Sequence, residues 1–231
     1  LTNTLDCPDN VFCTMNPLDN YWSASTFANG NTSQTSNAGN YAGVVSTLGM
    51  TSGKFYAECK QTGFSGSSNY NLIGITSYQN TASTNFLGES AGSASYYAQG
   101  EIYNGNGTDI GSMPTYTTND IIGVAVDLDN NFIYWHKNGV YINSGVPTSG
   151  GTGTGGLALT ASSSTSLGAY FFGSGDYGNT VIVNNSWNFG NGYFGTTAIT
   201  SAGSNGNGSL FEYDVPSGYY ALNTKNINTY G

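Results

Sequence analysis

The sequence predicts an all-β protein, a sandwich of antiparallel strands, on three observations. Between residues 119 and 145 an apolar run, Ile121 to Leu128, an Asp129-Asn130-Asn131 turn, a β-rich run, Phe132 to His136, and an Asn138-Gly139 turn write three consecutive strands. Short β-rich runs separated by Gly, Asn and Ser recur along the chain, and no segment keeps a helical period for more than about two turns. Aromatic residues make up 14% of the chain, including 18 Tyr, and supply the buriable surface that a disordered Gly- and Ser-rich chain lacks.

The elements follow in order. Residues 1–15, with Cys7-Pro8 and scattered acids, read as an extended leader packed on a sandwich that spans residues 16–194. Tyr21 to Phe27, Tyr41 to Leu48 and Lys54 to Lys60 alternate or cluster β-formers between Gly/Asn/Ser stretches, as short sandwich strands do. After a loop at residues 63–69, Tyr70 to Ile75 is a further strand. Residues 76–100 form a long, weakly patterned insertion, with strand resuming at Tyr96-Tyr97 and Ile102-Tyr103.

In the central meander side chains alternate between faces, so Ile122, Val124, Val126 and Leu128 form one aliphatic face opposite Ile121, Gly123, Ala125 and Asp127. Both faces are apolar enough to be buried, which places this strand at the centre of the sandwich. Ile133 and Trp135 read as the core pair of the next strand. Phe132, Tyr134 and His136 fall on a face that is aromatic and partly polar, with His136 half exposed. Residues 148–156, nearly pure Gly, Ser and Thr, read as a mobile loop or bend. Leu167 to Phe172 and Thr180 to Asn184 read as two strands joined around Gly173 to Gly178, and residues 195–231 as a linker and a C-terminal tail that packs on or trails the domain.

Asp120-Ile-Ile-Gly-Val-Ala-Val-Asp-Leu-Asp-Asn followed by Ile133-Tyr-Trp-His-Lys-Asn-Gly resembles the signature of the SPRY domain. The resemblance extends to Gly53-Lys-Phe-Tyr-Ala-Glu, to Ile73-Gly-Ile and to Trp187-Asn-Phe-Gly, in the family's order. It implies a SPRY-like antiparallel β-sandwich of concanavalin-like jelly-roll type, with long loops, an extended C-terminal tail and a non-enzymatic binding role. The tail itself, through Pro216, Gly218, Leu222, Asn223, Asn226 and Ile227, resembles the segment that trails SPRY-like domains in phage and bacterial polypeptides.

Charge excludes some partners. Four lysines and no arginine stand against 13 acids, a net charge of −9, so no basic patch for phosphates can be assembled and nucleic acid is not an expected partner. No stretch approaches 18 consecutive apolar residues, so no membrane insertion is expected. Cys7 and Cys13 bracket a short polar segment and could close a small ring or stay reduced, whereas Cys59 alternates within a strand and reads as a buried thiol.

Residues with chemical potential are few. His136 is the single histidine, without a nucleophile motif elsewhere, so no catalytic residue is assigned. Asp127, Asp129 and Asn131 resemble the opening of a calcium loop, but the sixth position is Phe132 and the twelfth Asn138, so a turn accounts for them and neither metal nor cofactor is assigned. Glu58, Glu89, Glu101 and Glu212 could furnish a carboxylate pair for glycoside hydrolysis only if folding brought two together.

Tyr78, Tyr96, Tyr97, Tyr103, Tyr116 and Tyr177 lie in or beside segments read as loops, where flat rings can stack on sugars or pack in a protein interface. The expectation is therefore a structural and binding module on a phage or virus particle, in a fibre or capsid decoration. It would recognise a host-surface glycan or a neighbouring coat protein, and could sit as a homo-oligomer within an assembly. A bacterial cell-surface or secreted adhesion module is the alternative, and a glycan-degrading enzyme the lesser one.

Overall fold

A computed structural model of the chain describes residues 6–19, 25–37, 41–78, 85–105, 110–178 and 180–231. In chain order the described residues hold β1 (Thr26–Ala28), β2 (Ser33–Thr35), β3 (Gly43–Val45), β4 (Lys54–Phe64), β5 (Asn71–Thr76), β6 (Ser93–Tyr97), β7 (Glu101–Tyr103) and β8 (Ile121–Asp127). Then come β9 (Phe132–Lys137), β10 (Val140–Tyr141), β11 (Leu157–Ala158), β12 (Phe171–Asp176), β13 (Val183–Asn188), β14 (Tyr193–Phe194), β15 (Thr197–Ala198), β16 (Tyr220–Ala221) and one helix, α1 (Thr224–Tyr230). Among the described residues no helix is long and apolar enough to cross a membrane.

Two sheets face each other. The larger runs β1-β2-β13-β4-β8-β9-β10, with β11 sharing the edge of β9 and β16 lying parallel to β4. The smaller runs β3-β12-β5-β6-β7, all antiparallel. The fold is thus the expected β-sandwich, and the meander supplies β8 to β10 in the expected register, with Val124 opposite Trp135 and Val126 opposite Ile133.

Between the sheets, Ile122, Val124, Val126, Ile133, Trp135 and Trp187 of the larger pack on Ile73, Ile75, Tyr96 and Phe172 of the smaller. Burial of this apolar surface is the main stabilising term, at roughly 25 cal/mol per Å² removed from water. Polar struts fix how the layers meet: Trp135 Nε1 donates to Ile73 O at 3.1 Å, Trp187 Nε1 to Ser174 Oγ at 3.0 Å, and that hydroxyl to Gln34 Oε1 at 2.6 Å. Asn71 of β5 and Asn185 of β13 exchange amide hydrogen bonds of 2.8 and 2.9 Å across the gap, so these buried polar groups satisfy each other.

Several expectations are corrected. The glycine-rich stretch read as a turn is β12 itself: Gly175 sits where a Cβ would overlap the Ala42 carbonyl, so glycine here marks close backbone approach instead of a bend. Of the strand expected at Tyr21 to Phe27, residues 21–24 lie outside the described residues, and β1 begins at Thr26. Residues 147–152 form 3₁₀ turns closed by the bond from Val146 N to Thr154 O. Cys7 is exposed and Cys13 buried, both as free thiols.

The end of the chain covers the outer face of the larger sheet. Phe211, Val215 and Tyr219 pack with Tyr56, Ala125 and Tyr134 and with Phe12 from the N-terminal segment. Tyr219 Oη donates to Pro147 O at 2.9 Å, and α1 is capped by Asn223, whose side chain accepts from Asn226 N. Phe12 pairs antiparallel with Asn223, with Cys13 N bonded to Leu222 O and Thr224 N to Val11 O.

Candidate functional site

The residues with catalytic potential meet under that tail. His136 is 1% exposed instead of half exposed, because Tyr213 packs edge-on against its ring and Tyr141 against its other side. Its Nδ1 accepts the Gly139 N–H at 3.1 Å, leaving the proton on Nε2, which lies 2.6 Å from Tyr56 Oη. Tyr56 in turn donates to Glu58 Oε1 at 2.9 Å. Burial pushes the His136 pKa down to about 3, so the ring is neutral.

Glu58 accepts the backbone N–H of Glu212 at 2.9 Å and of Tyr213 at 2.8 Å, and Asn188 Nδ2 approaches at 3.4 Å. Burial raises its pKa to about 7, against the lowering effect of those two backbone donors and the Tyr56 hydroxyl. This His–Tyr–Glu row is sealed, and its acceptors are filled by the chain itself. It clamps the tail onto the sheet.

The calcium-like residues are likewise committed. Asp127 is fully buried, accepts from Asn130 N and Nδ2 at 3.0 and 2.9 Å, and pairs with Lys54 at 2.9 Å. Asp129 accepts from Gly53 N at 2.9 Å. The other glutamates are held by local bonds: Glu89 caps Phe86 N, Glu101 accepts from Tyr103 Oη, and Glu212, whose charge acts on Glu58, accepts from Thr200.

The six tyrosines divide by the face they reach. Tyr96 is a strand residue of β6, and Tyr116 lies in the irregular segment before β8, yet neither ring is presented to solvent. They lie inside the core, 0% and 2% exposed, with Tyr116 Oη donating to Asn71 O and Tyr96 O at 2.9 and 3.0 Å, and Tyr96 Oη bonded to Pro114 O. Burial raises the pKa of both phenols. Tyr97 and Tyr103 are strand residues too, 5% and 8% exposed, but point to the opposite, outer face of the smaller sheet. There they join half-buried Tyr177, which packs on Phe86, Tyr70, Tyr97 and Tyr103 at centroid distances of 4.5 to 6.2 Å. Tyr78, at 37% exposed, is the one member of the six that stands open to solvent.

Tyr78 and Phe86 border a shallow groove on this same outer face, part of it open to solvent. Val44, Val45 and Thr76 line its floor strands, Phe86, Leu87 and Ser90 one wall, and Leu167 and Phe171 the other, with Asp19 at the rim. Each wall is held in place. Ser95 Oγ donates to Leu87 O at 2.6 Å and Gly88 N to Ser93 Oγ at 2.7 Å, which pins the 86–89 turn on β6. Leu167 N donates to Ser77 O at 3.2 Å, and Tyr78 N to Thr76 Oγ1 at 3.0 Å. Asn16 N donates to Val45 O at 2.7 Å and Asp19 N to Asn16 O at 3.2 Å, so a turn carries Asp19 to the edge of β3. An apolar cleft with a few polar groups among its lining has the chemical character of a docking surface.

Of the six tyrosines, Tyr78 lines this groove, Tyr97, Tyr103 and Tyr177 share its sheet face, and Tyr96 and Tyr116 lie in the core. Asp19, Phe86, Leu87, Leu167 and Phe171 escaped the tyrosine signal. Phe86 and Leu87 sit in the unpatterned insertion, and only the way that segment folds back on β6 makes them a wall.

No protein-family model matches the chain, and no curated protein matches it in sequence. Among solved structures, the SPRY domain of human HERC1 is similar with a TM-score of 0.56 at 14% identity, covering 75% of this chain and 96% of that one. Stonustoxin is similar with a TM-score of 0.51 at 16% identity over 76% of this chain and 27% of that one. The fold is SPRY-like.

Proposed function

We propose that this chain is a non-enzymatic binding module that engages another protein through the outer face of its smaller sheet. The observation that carries the reading is the groove between Phe86 and Leu167, with preformed apolar walls and solvent-exposed Tyr78 and Leu167 on its margin. Walls already fixed by hydrogen bonds lose little conformational freedom on binding, which favours association. SPRY domains serve as protein-interaction modules, so the likeness in fold points the same way. The sealed state of His136 and Glu58 favours binding over catalysis, because neither can reach a substrate while the tail covers them.

The setting we propose is the exterior of a phage or virus particle. It rests on the lysine-poor, Tyr- and Asn-rich composition and on the resemblance of the Pro216 to Ile227 tail. Tyr78→Ser combined with Leu167→Ser changes two exposed side chains and should leave the melting curve within about a degree of the parent. The double variant should bind purified particles, or their dissociated coat proteins, at least tenfold more weakly. Equal binding by parent and variant would remove the groove from the reading, and absence of the chain from purified particles would remove the setting.

A further inference from the structure

One charged group, Asp19, lines the groove among the described residues. Among the described residues no donor lies within hydrogen-bonding or ion-pairing distance of the half-buried Asp19 carboxylate, and none of the four lysines lines the groove. Burial raises the Asp19 pKa with nothing to offset it, the direction expected for a carboxylate left on an apolar rim without a cation. The adjoining Leu18, at 88%, is the most exposed large apolar side chain among the described residues. Acid and apolar surface therefore stand side by side, at a cleft whose other lining is mostly aliphatic and aromatic, with Thr76, Ser90 and Ser93 between.

We propose that the groove receives a large apolar side chain of a protein partner and that Asp19 pairs with a lysine or arginine beside it, so the partner presents a basic, hydrophobic peptide segment. The assignment rests on the docking face proposed above and narrows it. Charge complementarity favours it twice: the local carboxylate lacks a cation, and a chain of net charge −9 repels acidic segments at a distance. Phe171 and Phe86 supply the apolar contact.

The test is a titration of the ¹⁵N-labelled full chain with N-acetyl-tryptophanyl-arginine amide and, in parallel, with the same dipeptide carrying glutamate in place of arginine. The arginine probe should shift the amides of Val45, Leu87 and Leu167 saturably, and the glutamate probe should not. Asp19→Asn should weaken the arginine probe by about threefold to tenfold, the value of one partly exposed ion pair, and raising the salt should weaken binding more on the parent than on the variant. Equal shifts with both probes, or an Asp19→Asn variant that binds as well as the parent, would overturn the pairing while leaving the docking face in place. No groove shift with either probe would overturn the whole assignment, and the docking face itself then stands or falls on particle binding by the Tyr78/Leu167 double variant.

Discussion

Gly123 leaves the space that the His136 ring fills, since a Cβ there would overlap the imidazole. Gly123→Ala should therefore push the ring against Tyr213 and lower stability by about 1–3 kcal/mol in a denaturant melt. The Hε1 resonance of this single histidine should stay flat from pH 5 to 8, because its pKa of about 3 lies well below that window. A titrating signal in that range would mean that the tail does not cover it. Trp135→Ala should cost about 3–5 kcal/mol by emptying the core and stranding the Ile73 carbonyl. The parity of Ile133 and Trp135 was readable because a strand alternates. The burial of Tyr134 and His136 was not, because their cover comes from Phe211 and Tyr213, far along the chain.

Among elements, β4 and the tail depend on each other. Glu58 offers acceptors to two successive tail N–H groups, and glutamine would turn an NH₂ toward one of them. Glu58→Gln should loosen residues 211–214, seen as faster hydrogen exchange at Glu212 and Tyr213, at a cost of about 1–3 kcal/mol. Unchanged protection there would show that Phe211 and Val215 hold the tail alone. The meander was legible as an element because its turns and apolar runs agree. β6 was half legible: strand was expected at Tyr96-Tyr97, but Ser93 to Tyr97 carries few aliphatic residues, so which ring faces the core followed only from pairing with β5 and β7. Replacing Tyr96, Tyr97 and Tyr116 together with Ser would consequently open the core between the sheets, and is a test of stability before it is a test of binding.

For the molecule as a whole, burial raises Glu58 and Asp176 each to about 7, from ordinary values of 4.5 and 3.8, and lowers His136 to about 3. Between about pH 4.5 and 7 the folded state holds two carboxyl protons that the unfolded chain has released, while up to about pH 6.5 the unfolded chain holds one histidine proton that the fold excludes. The carboxyl contribution is fully present below about pH 4 and is lost as pH rises through 7; the histidine contribution is present above 6.5 and is lost as pH falls toward 3. The carboxyls outnumber the histidine, so the melting temperature should be higher at pH 5 than at pH 8, with a slope of about 1.4 kcal/mol per pH unit per net proton. Asp176→Asn should flatten that slope, and a parent more stable at pH 8 would contradict it. The sandwich could be read from the sequence because its signature segments are the central strands; the groove could not, because it is made where residues from four separated stretches come to one surface. Another property of the whole lies in the pairing of Val11 to Cys13 with Leu222 to Thr224. The pair is antiparallel and its two outward-leading strands leave from one end, so tension between the N- and C-terminal segments loads its hydrogen bonds singly, as a zipper is opened. Under stretching the chain would yield there at low force, while the sheets, reached only afterwards, stay unloaded.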